Sequence, residues 1–153
     1  MLENTTLRIA AALAISLQCT MALAHSGATG VVLERMEAMK DIAAQMKRIG
    51  AMIKGTREYD AALAASAAEL IVEHAETMPS LFPEGSIEGP SEARPSIWAD
   101  WSGFTRSAGD LAAAASALSL AAQGASEPAG ITPHFAAVGK TCSACHQDYR
   151  LAD

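Results

Sequence analysis

Aromatic and β-branched side chains are scarce in this sequence. Aromatic residues make up 5% of the 153 residues, and the apolar half of the chain comes mainly from alanine, leucine and methionine. Strands favour the side chains that are scarce here, whereas helices favour those that are abundant, so the composition predicts an all-α protein. A chain of this length is expected to form one domain around its own apolar core.

The sequence also lacks any run of basic residues. Lysine and arginine number 11 against 17 acidic residues, which gives a formal net charge of −6. Counterion release cannot drive binding to nucleic acid without clustered basic side chains. Nucleic acid is therefore excluded as an expected partner, and an acidic charge of this size is ordinary for solubility.

The apolar stretch near the N-terminus is too short to span a bilayer. It runs from Ile9 to Leu17, follows Arg8 and precedes Ala22-Leu23-Ala24. This is the pattern of a signal peptide with a small-x-small cleavage site. We expect residues 1–24 to be removed after Ala24 and residues 25–153 to form the exported domain. An uncleaved N-terminal anchor is the alternative, because Glu3 weakens the positive region that precedes the apolar run.

The first half of the exported chain predicts an antiparallel pair of helices. One helix is expected from Gly30 to Lys54, and a second from an N-cap at Asp60 to about Met78. Small and apolar residues of the first helix recur in alternating steps of four and three, as in the seam of a helix bundle: Val32, Met36, Met39, Ala43, Met46, Gly50 and Ile53.

The second half predicts two more helices after a long crossover. Prolines and glycines fill residues 78–96, which no regular helix accommodates. A third helix is expected along a seam that runs from Ile97 through Trp101 to Ala122, and the last from an N-cap at Thr132 with Pro133 at its first helical position. Two short connections and one long one predict a four-helix bundle. The seam of the last helix would comprise Ile131, Phe135, Val138, Cys142, Cys145 and Tyr149.

The last helix contains the sequence Cys142-Ser143-Ala144-Cys145-His146. On a helix, residues three and four apart share a face, so two thiols and one imidazole converge there. CxxCH is the pattern of c-type haem attachment, in which both thiols bond to the porphyrin edge and the histidine ligates iron. Cys19 is expected to leave with the signal peptide, so no disulfide framework is implied.

Two other chemistries compete for this motif. A redox-active CxxC pair typically lies at a helix N-terminus after a strand, whereas this pair lies deep in a predicted C-terminal helix. A zinc site would need further ligands. Only His25, His74 and His134 remain, none of them in a paired spacing.

The position of the motif near the C-terminus, followed by Gln147-Asp148-Tyr149-Arg150, resembles the class II c-type cytochromes, the family of cytochrome c′ and its low-spin relatives. In most other c-type cytochromes the motif lies near the N-terminus. Further segments resemble the same family across the exported chain: Arg35 and Met39 in the first helix, Leu81-Phe82-Pro83 in the crossover, and Ile97-Trp98-Ala99 at the start of the third helix.

This resemblance implies one covalently bound haem c per chain, attached to Cys142 and Cys145 with His146 as the proximal iron ligand. The distal position of the family, one turn after an arginine of the first helix, maps onto Met39, with Met36 as the fallback. Methionine there is typical of six-coordinate, low-spin relatives. Arg35 and Arg150 each lie one turn from an expected ligand and are expected either to pair with a haem propionate or to be solvated surface residues.

The resulting functional expectation is a periplasmic electron carrier with no enzymatic activity, which exchanges single electrons with periplasmic redox partner proteins. The alternative is a five-coordinate binder of nitric oxide or carbon monoxide, which requires Met39 to stand off the iron. Peroxidase or thiol redox activity is a further rival. The resemblance also leaves open a monomer or a homodimer formed through the first two helices.

Overall fold

The computed structural model describes residues 27–87 and 89–151 of the chain. The predicted signal peptide and its cleavage site lie outside these residues. In the described part the secondary structure is helical, and its only β feature is an isolated bridge between Ala93 and Arg150. The helices are α1 Gly30–Ile53, α2 Ala61–Thr77, α3 Ser96–Ala99, α4 Trp101–Gly124 and α5 Thr132–Tyr149, with 3-10 turns at Met78–Leu81 and Pro128–Gly130.

The all-α four-helix bundle is confirmed, with α1, α2, α4 and α5 as its long helices. The most extensive contact is between α2 and α4. The buried face of α2 consists mainly of alanine, so the two helix axes can approach closely without large side chains between them. Among the described residues, no helix is both long and apolar enough to cross a membrane.

Asp60 caps α2 as predicted. Its Oδ1 accepts a 2.9 Å hydrogen bond from the backbone N–H of Leu63, one of the donors that a helix start leaves without an intrahelical partner. The helix ends at Thr77, and Met78–Leu81 continues as a tighter 3-10 turn because Pro79 has no N–H to donate.

The third predicted helix is interrupted, which corrects the continuous seam expected from Ile97. Asp100 leaves the helical region, with φ −126° and ψ 56°, and its Oδ1 accepts a hydrogen bond from Gly103 N to begin a new helix, α4. Trp101 does not belong to the buried seam, since 41% of it is exposed. Its ring nevertheless lies 5.6 Å from that of Phe104, which is buried.

The start of the last helix also differs from the prediction. Thr132 is its first residue rather than its N-cap, and no side chain caps this end. The Thr132 hydroxyl instead donates a 2.9 Å hydrogen bond to the carbonyl of Pro128, in the 3-10 turn that leads into the helix. Pro133 still lies in the first turn, where its missing N–H costs nothing.

The predicted seam of α1 is rotated relative to the face that packs against the other helices. The side chains buried there follow a neighbouring stripe: Arg35, Ala38, Ile42, Gln45, Ile49 and Met52. Four residues of the predicted seam, Met36, Met39, Ala43 and Met46, line a cavity, and Met39 and Met46 also pack against the core. The helical period therefore identified an inward face correctly but did not reveal that this face also forms a cavity wall.

Candidate cofactor site

A cavity of about 500 Å³ lies between α1 and α5, and parts of α4 and the crossover also line it. Its volume falls within the range of sites that enclose a small-molecule cofactor. Its lining is mostly apolar, and methionines contribute Met36, Met39, Met46 and Met78. All six residues predicted to hold haem or iron line this one cavity: Arg35, Met39, Cys142, Cys145, His146 and Arg150.

The α5 wall carries the CxxCH motif. Cys142 and Cys145 are half-buried, and neither forms a disulfide. Burial raises the pKa of both thiols, and for Cys145 the neighbouring Cys142 adds to the shift. A redox-active cysteine needs an electropositive environment that stabilises its thiolate, so this environment is unlike that of a thiol redox site.

His146 stands one turn beyond Cys142 on the same wall. Burial lowers the pKa of its imidazole, and the charge of Arg150 lowers it further. The neutral imidazole is the form that binds a metal ion. Within residues 27–87 and 89–151, no group of three or more histidine, cysteine or acidic side chains is gathered that could hold a metal ion.

The α1 wall presents a buried cation to the cavity. Arg35 is only 4% exposed, and its guanidinium lies 4.6 Å from the centre of the Phe82 ring. Nη2 donates a hydrogen bond to the carbonyl of Ser86. In the part of the chain that the structure describes, buried Nε and Nη1 have no hydrogen-bond partner. Burial lowers the pKa of this group.

These unpartnered donors are the test of whether the site fits haem. A buried cation with open N–H groups is costly unless an anion pairs with it, and arginine forms strong charge-assisted hydrogen bonds with carboxylates. Haem carries carboxylate side chains at its edge, and the opposite wall provides two thiols and an imidazole. The residues present therefore fit a haem attached through its edge.

Arg150 reaches the cavity from the end of α5, as expected from its register. Its Nε lies 2.6 Å from Oε2 of Glu92, so the crossover supplies a carboxylate for this guanidinium. The sequence reasoning did not identify Glu92, and it also missed Phe82 as part of the cavity wall. Phe82 lies in the Leu81-Phe82-Pro83 segment that resembles the family, but no local sequence pattern places its ring at the cavity.

Comparison with known proteins identifies the family. The family described as Cytochrome C' matches residues 30–150. A cytochrome c-556 from Agrobacterium tumefaciens (strain II Chrys) is 37% identical over 122 residues, covering 80% of this chain and 98% of that one.

Two solved structures support the same assignment. Cytochrome c' from Rhodopseudomonas palustris has a TM-score of 0.75 and 30% identity, and the match covers 82% of this chain and 99% of that chain. The nitric oxide complex of a point variant of cytochrome c prime from Alcaligenes xylosoxidans has a TM-score of 0.71 and 29% identity, covering 80% and 94%. The cofactor is haem c, bound covalently, and the chain belongs to the cytochrome c′ family of class II c-type cytochromes.

Proposed function

We propose that this protein is a periplasmic electron carrier in which Cys142 and Cys145 hold the haem, His146 is the proximal iron ligand and Met39 is the distal ligand. The observation that supports the proposal is that the CxxCH residues of α5 and Met39 of α1 line the same cavity. Bound haem would supply the one-electron couple of its iron, and His146 and Met39 would hold that iron from two different helices.

Met39 is favoured over the other cavity methionines by its relation to Arg35. The two lie one turn apart on the same face of α1. One cofactor can therefore place a carboxylate at the Arg35 guanidinium and its iron at the Met39 thioether. A methionine ligand raises the reduction potential of haem iron. Retaining both axial ligands in the two oxidation states keeps rearrangement small, which suits electron transfer rather than catalysis.

Arg35 is proposed to pair with a haem propionate through one of its open N–H groups, at Nε or Nη1. Its position is fixed before any cofactor arrives, because Phe82 stacks on the guanidinium and the Ser86 carbonyl holds Nη2. Arg150 is proposed to contribute positive charge at the same cavity from the α5 side, with Glu92 orienting its guanidinium. Neither role requires a proton to move.

The remaining functional expectations are proposals of the same kind. Removal of residues 1–24 would deliver residues 25–153 to the periplasm, where haem attachment to CxxCH and exchange with redox partner proteins are expected. No enzymatic turnover is proposed. Contact between the first two helices of two copies would give a homodimer, which sedimentation of the purified holoprotein distinguishes from a monomer.

The test of Met39 is the absorption spectrum of the oxidised and reduced holoprotein beside Met39→Ala. Met46→Ala is the matched control, because Met46 lies on the same helix and lines the same cavity. We expect a low-spin spectrum with a methionine-to-iron charge-transfer band that disappears in Met39→Ala and persists in Met46→Ala. A high-spin spectrum that neither substitution changes would remove Met39 as a ligand.

Binding of nitric oxide or carbon monoxide is the second candidate function. It is favoured by the structure of a point variant of a related cytochrome c prime in complex with nitric oxide. Carbon monoxide titration of the ferrous protein separates the two functions, since a bound thioether must be displaced before gas can bind. Tight, fast binding by the unsubstituted protein would favour the gas binder, whereas binding that appears only in Met39→Ala would favour the electron carrier.

Covalent attachment is tested separately by mass spectrometry. The holoprotein is expected to carry the mass of one haem after denaturation, and Cys142→Ala with Cys145→Ala is expected to lose it. An unsubstituted protein without covalent haem would contradict the proposal and would favour thiol redox activity of the two cysteines.

A further inference from the structure

The last turn of α5, which contains His146, is capped from outside the helix. The final carbonyls of a helix have no intrahelical donor, so they need other partners. Arg94 supplies two of them: its backbone N–H donates 2.9 Å to the carbonyl of Tyr149, and its Nη1 donates 3.1 Å to that of Gln147. Ser96 Oγ donates 3.0 Å to the carbonyl of Asp148.

The chain extends this contact on either side of Arg94. Leu151 N donates 2.8 Å to the carbonyl of Glu92, which completes the bridge between the crossover and the residue after α5. At the other end of the segment, Tyr149 Oη donates 2.8 Å to Asp100 Oδ2. Residues 92–100 therefore contact the last turn of α5 and the two residues after it at several points, and we call this segment the proximal brace.

We propose that the proximal brace positions His146 as an iron ligand, with Arg94 as its principal positioning residue, and that it tunes the reduction potential in this way. The inference rests on the proposed function only in taking His146 as the axial ligand. Groups that hydrogen-bond around metal ligands fix the orientation of those ligands and alter the metal, although they never touch it.

Two physical effects follow from Arg94. Its hydrogen bonds tie the carbonyls on both sides of Asp148 to the crossover, which prevents the terminal turn from fraying beside His146. Its charge lies at the negative end of the α5 dipole, which is a favourable place for a cation. Loss of the guanidinium would release the turn and remove a positive charge that favours the reduced iron.

The experiment uses the haem-loaded protein with Arg94→Ala, Arg94→Lys and Arg57→Ala. Arg57→Ala is the matched control, because it removes the same charge from an exposed loop between α1 and α2. The readouts are the reduction potential and the hyperfine-shifted proton resonances of the ferric haem, which report the orientation of the axial imidazole. Thermal unfolding is recorded in parallel.

We expect Arg94→Ala to shift the haem resonances and to lower the equilibrium constant for reduction by up to about tenfold, which is 59 mV for one electron. Arg94→Lys should recover most of the potential, and Arg57→Ala should change neither readout. Lower thermal stability in Arg94→Ala with unchanged resonances and potential would overturn the proposal, because the brace would then be only structural.

Two further variants keep the inference testable if Arg94→Ala does not fold. Ser96→Ala and Tyr149→Phe each remove one hydrogen bond of the brace, and each should shift the haem resonances in part. Unchanged resonances in both would overturn the proposal. Failure of the proposed function gives a different result, since the unsubstituted protein would then lack covalent haem or a histidine-ligated spectrum.

Discussion

The hydroxyl of Tyr149 donates a 2.8 Å hydrogen bond to Oδ2 of Asp100 and so joins the last turn of α5 to the N-terminus of α4. Asp100 accepts it while its other oxygen caps α4 at Gly103. This hydrogen bond raises the pKa of Tyr149 to about 12. It also lowers the pKa of the Asp100 carboxyl, and the hydrogen bond from the Gly103 N–H lowers that pKa further.

The first prediction concerns alkaline pH. A phenol whose pKa is raised by folding stabilises the protein fully at pH values below its unfolded-state pKa, which is about 10. That contribution is lost as pH rises through the folded-state pKa of about 12. Tyr149→Phe should therefore be less stable than the unsubstituted protein at pH 8, with the difference disappearing above pH 12. Urea unfolding across this range measures it.

A tyrosinate absorbance titration provides the control, since the chain has two tyrosines. Tyr59→Phe leaves Tyr149 as the only phenol, which should titrate near pH 12. Burial also raises the pKa of Tyr59, so Tyr149→Phe serves to show which part of the titration belongs to Tyr59. A Tyr59→Phe protein that titrates near the ordinary value of about 10 would show that the Tyr149 hydroxyl is not held by Asp100.

The second prediction compares two glycines of α4. A Cβ on Gly103 would lie 2.5 Å from Tyr149 Oη and overlap the Asp100 carboxylate, whereas nothing lies within 4 Å of one on Gly109. Gly103→Ala should break the Tyr149 hydrogen bond and destabilise the protein by about 1–3 kcal/mol. Gly109→Ala should stabilise it by about 0.5–1 kcal/mol through helix propensity.

Chemical denaturation of both variants checks this pair. Equal changes of the same sign would contradict the close approach at Gly103, because helix propensity acts similarly at both positions.

The third prediction concerns acid. Asp41 on α1 accepts hydrogen bonds from His74 on α2, at 2.7 Å, and from Gln45, at 2.8 Å, and these bonds lower the pKa of its carboxyl. A depressed carboxyl pKa stabilises the fold above about pH 4, and the contribution is lost as pH falls through the lowered value. Asp41→Asn should therefore be destabilised at pH 6 and approach the unsubstituted protein near pH 2.

Asp110→Asn, a change at an exposed carboxylate of α4, is the control for removal of one negative charge. A stability difference in Asp41→Asn that stays constant between pH 6 and pH 2 would show that the carboxylate contributes nothing through its charge.

The fourth prediction concerns Arg35. Loss of this buried cation should disfavour the ferrous state, so Arg35→Met should lower the reduction potential of the holoprotein by some tens of millivolts, where a tenfold change in the equilibrium constant is about 59 mV. Arg35→Lys keeps the charge but loses the planar fork that stacks on Phe82, and a smaller fall is expected. Spectroelectrochemical titration measures both potentials. An unchanged potential in Arg35→Met would contradict the pairing of Arg35 with a haem propionate.

Local sequence rules predicted several elements correctly because each depends on few neighbouring residues. Asp60 caps α2, the proline-rich crossover separates the two helix pairs, and the α5 seam from Ile131 to Tyr149 faces inward. The rules failed at Trp101 and Thr132. Trp101 matched the period of a continuous helix, but the non-helical Asp100 interrupts that helix. The Thr132 hydroxyl donates to the Pro128 carbonyl instead of capping a backbone N–H of α5.

The candidate site was predicted in the same uneven way. The CxxCH motif is local in sequence, so Cys142, Cys145 and His146 were recognisable without a structure, and the family resemblance added Met39 and Arg35. Their meeting in one cavity depends on how α1 packs against α5, which no period within a single helix specifies. The Met36 to Met46 stripe illustrates this, since the sequence predicted a packed seam, whereas in the structure the same stripe also forms a cavity wall.

The sequence by itself determined the helical class, the four long segments and the haem-binding motif, because propensity, period and motif spacing act over a few residues. Only the tertiary structure decided that Arg35 is buried with open donors, that Glu92 meets Arg150, and that Arg94 caps the helix that carries His146. The Glu92–Arg150 and Arg94–Gln147 contacts join residues more than 50 positions apart. They form only when packing of the helices brings the crossover and the end of α5 together, because burial and hydrogen bonding depend on distance in space rather than along the chain.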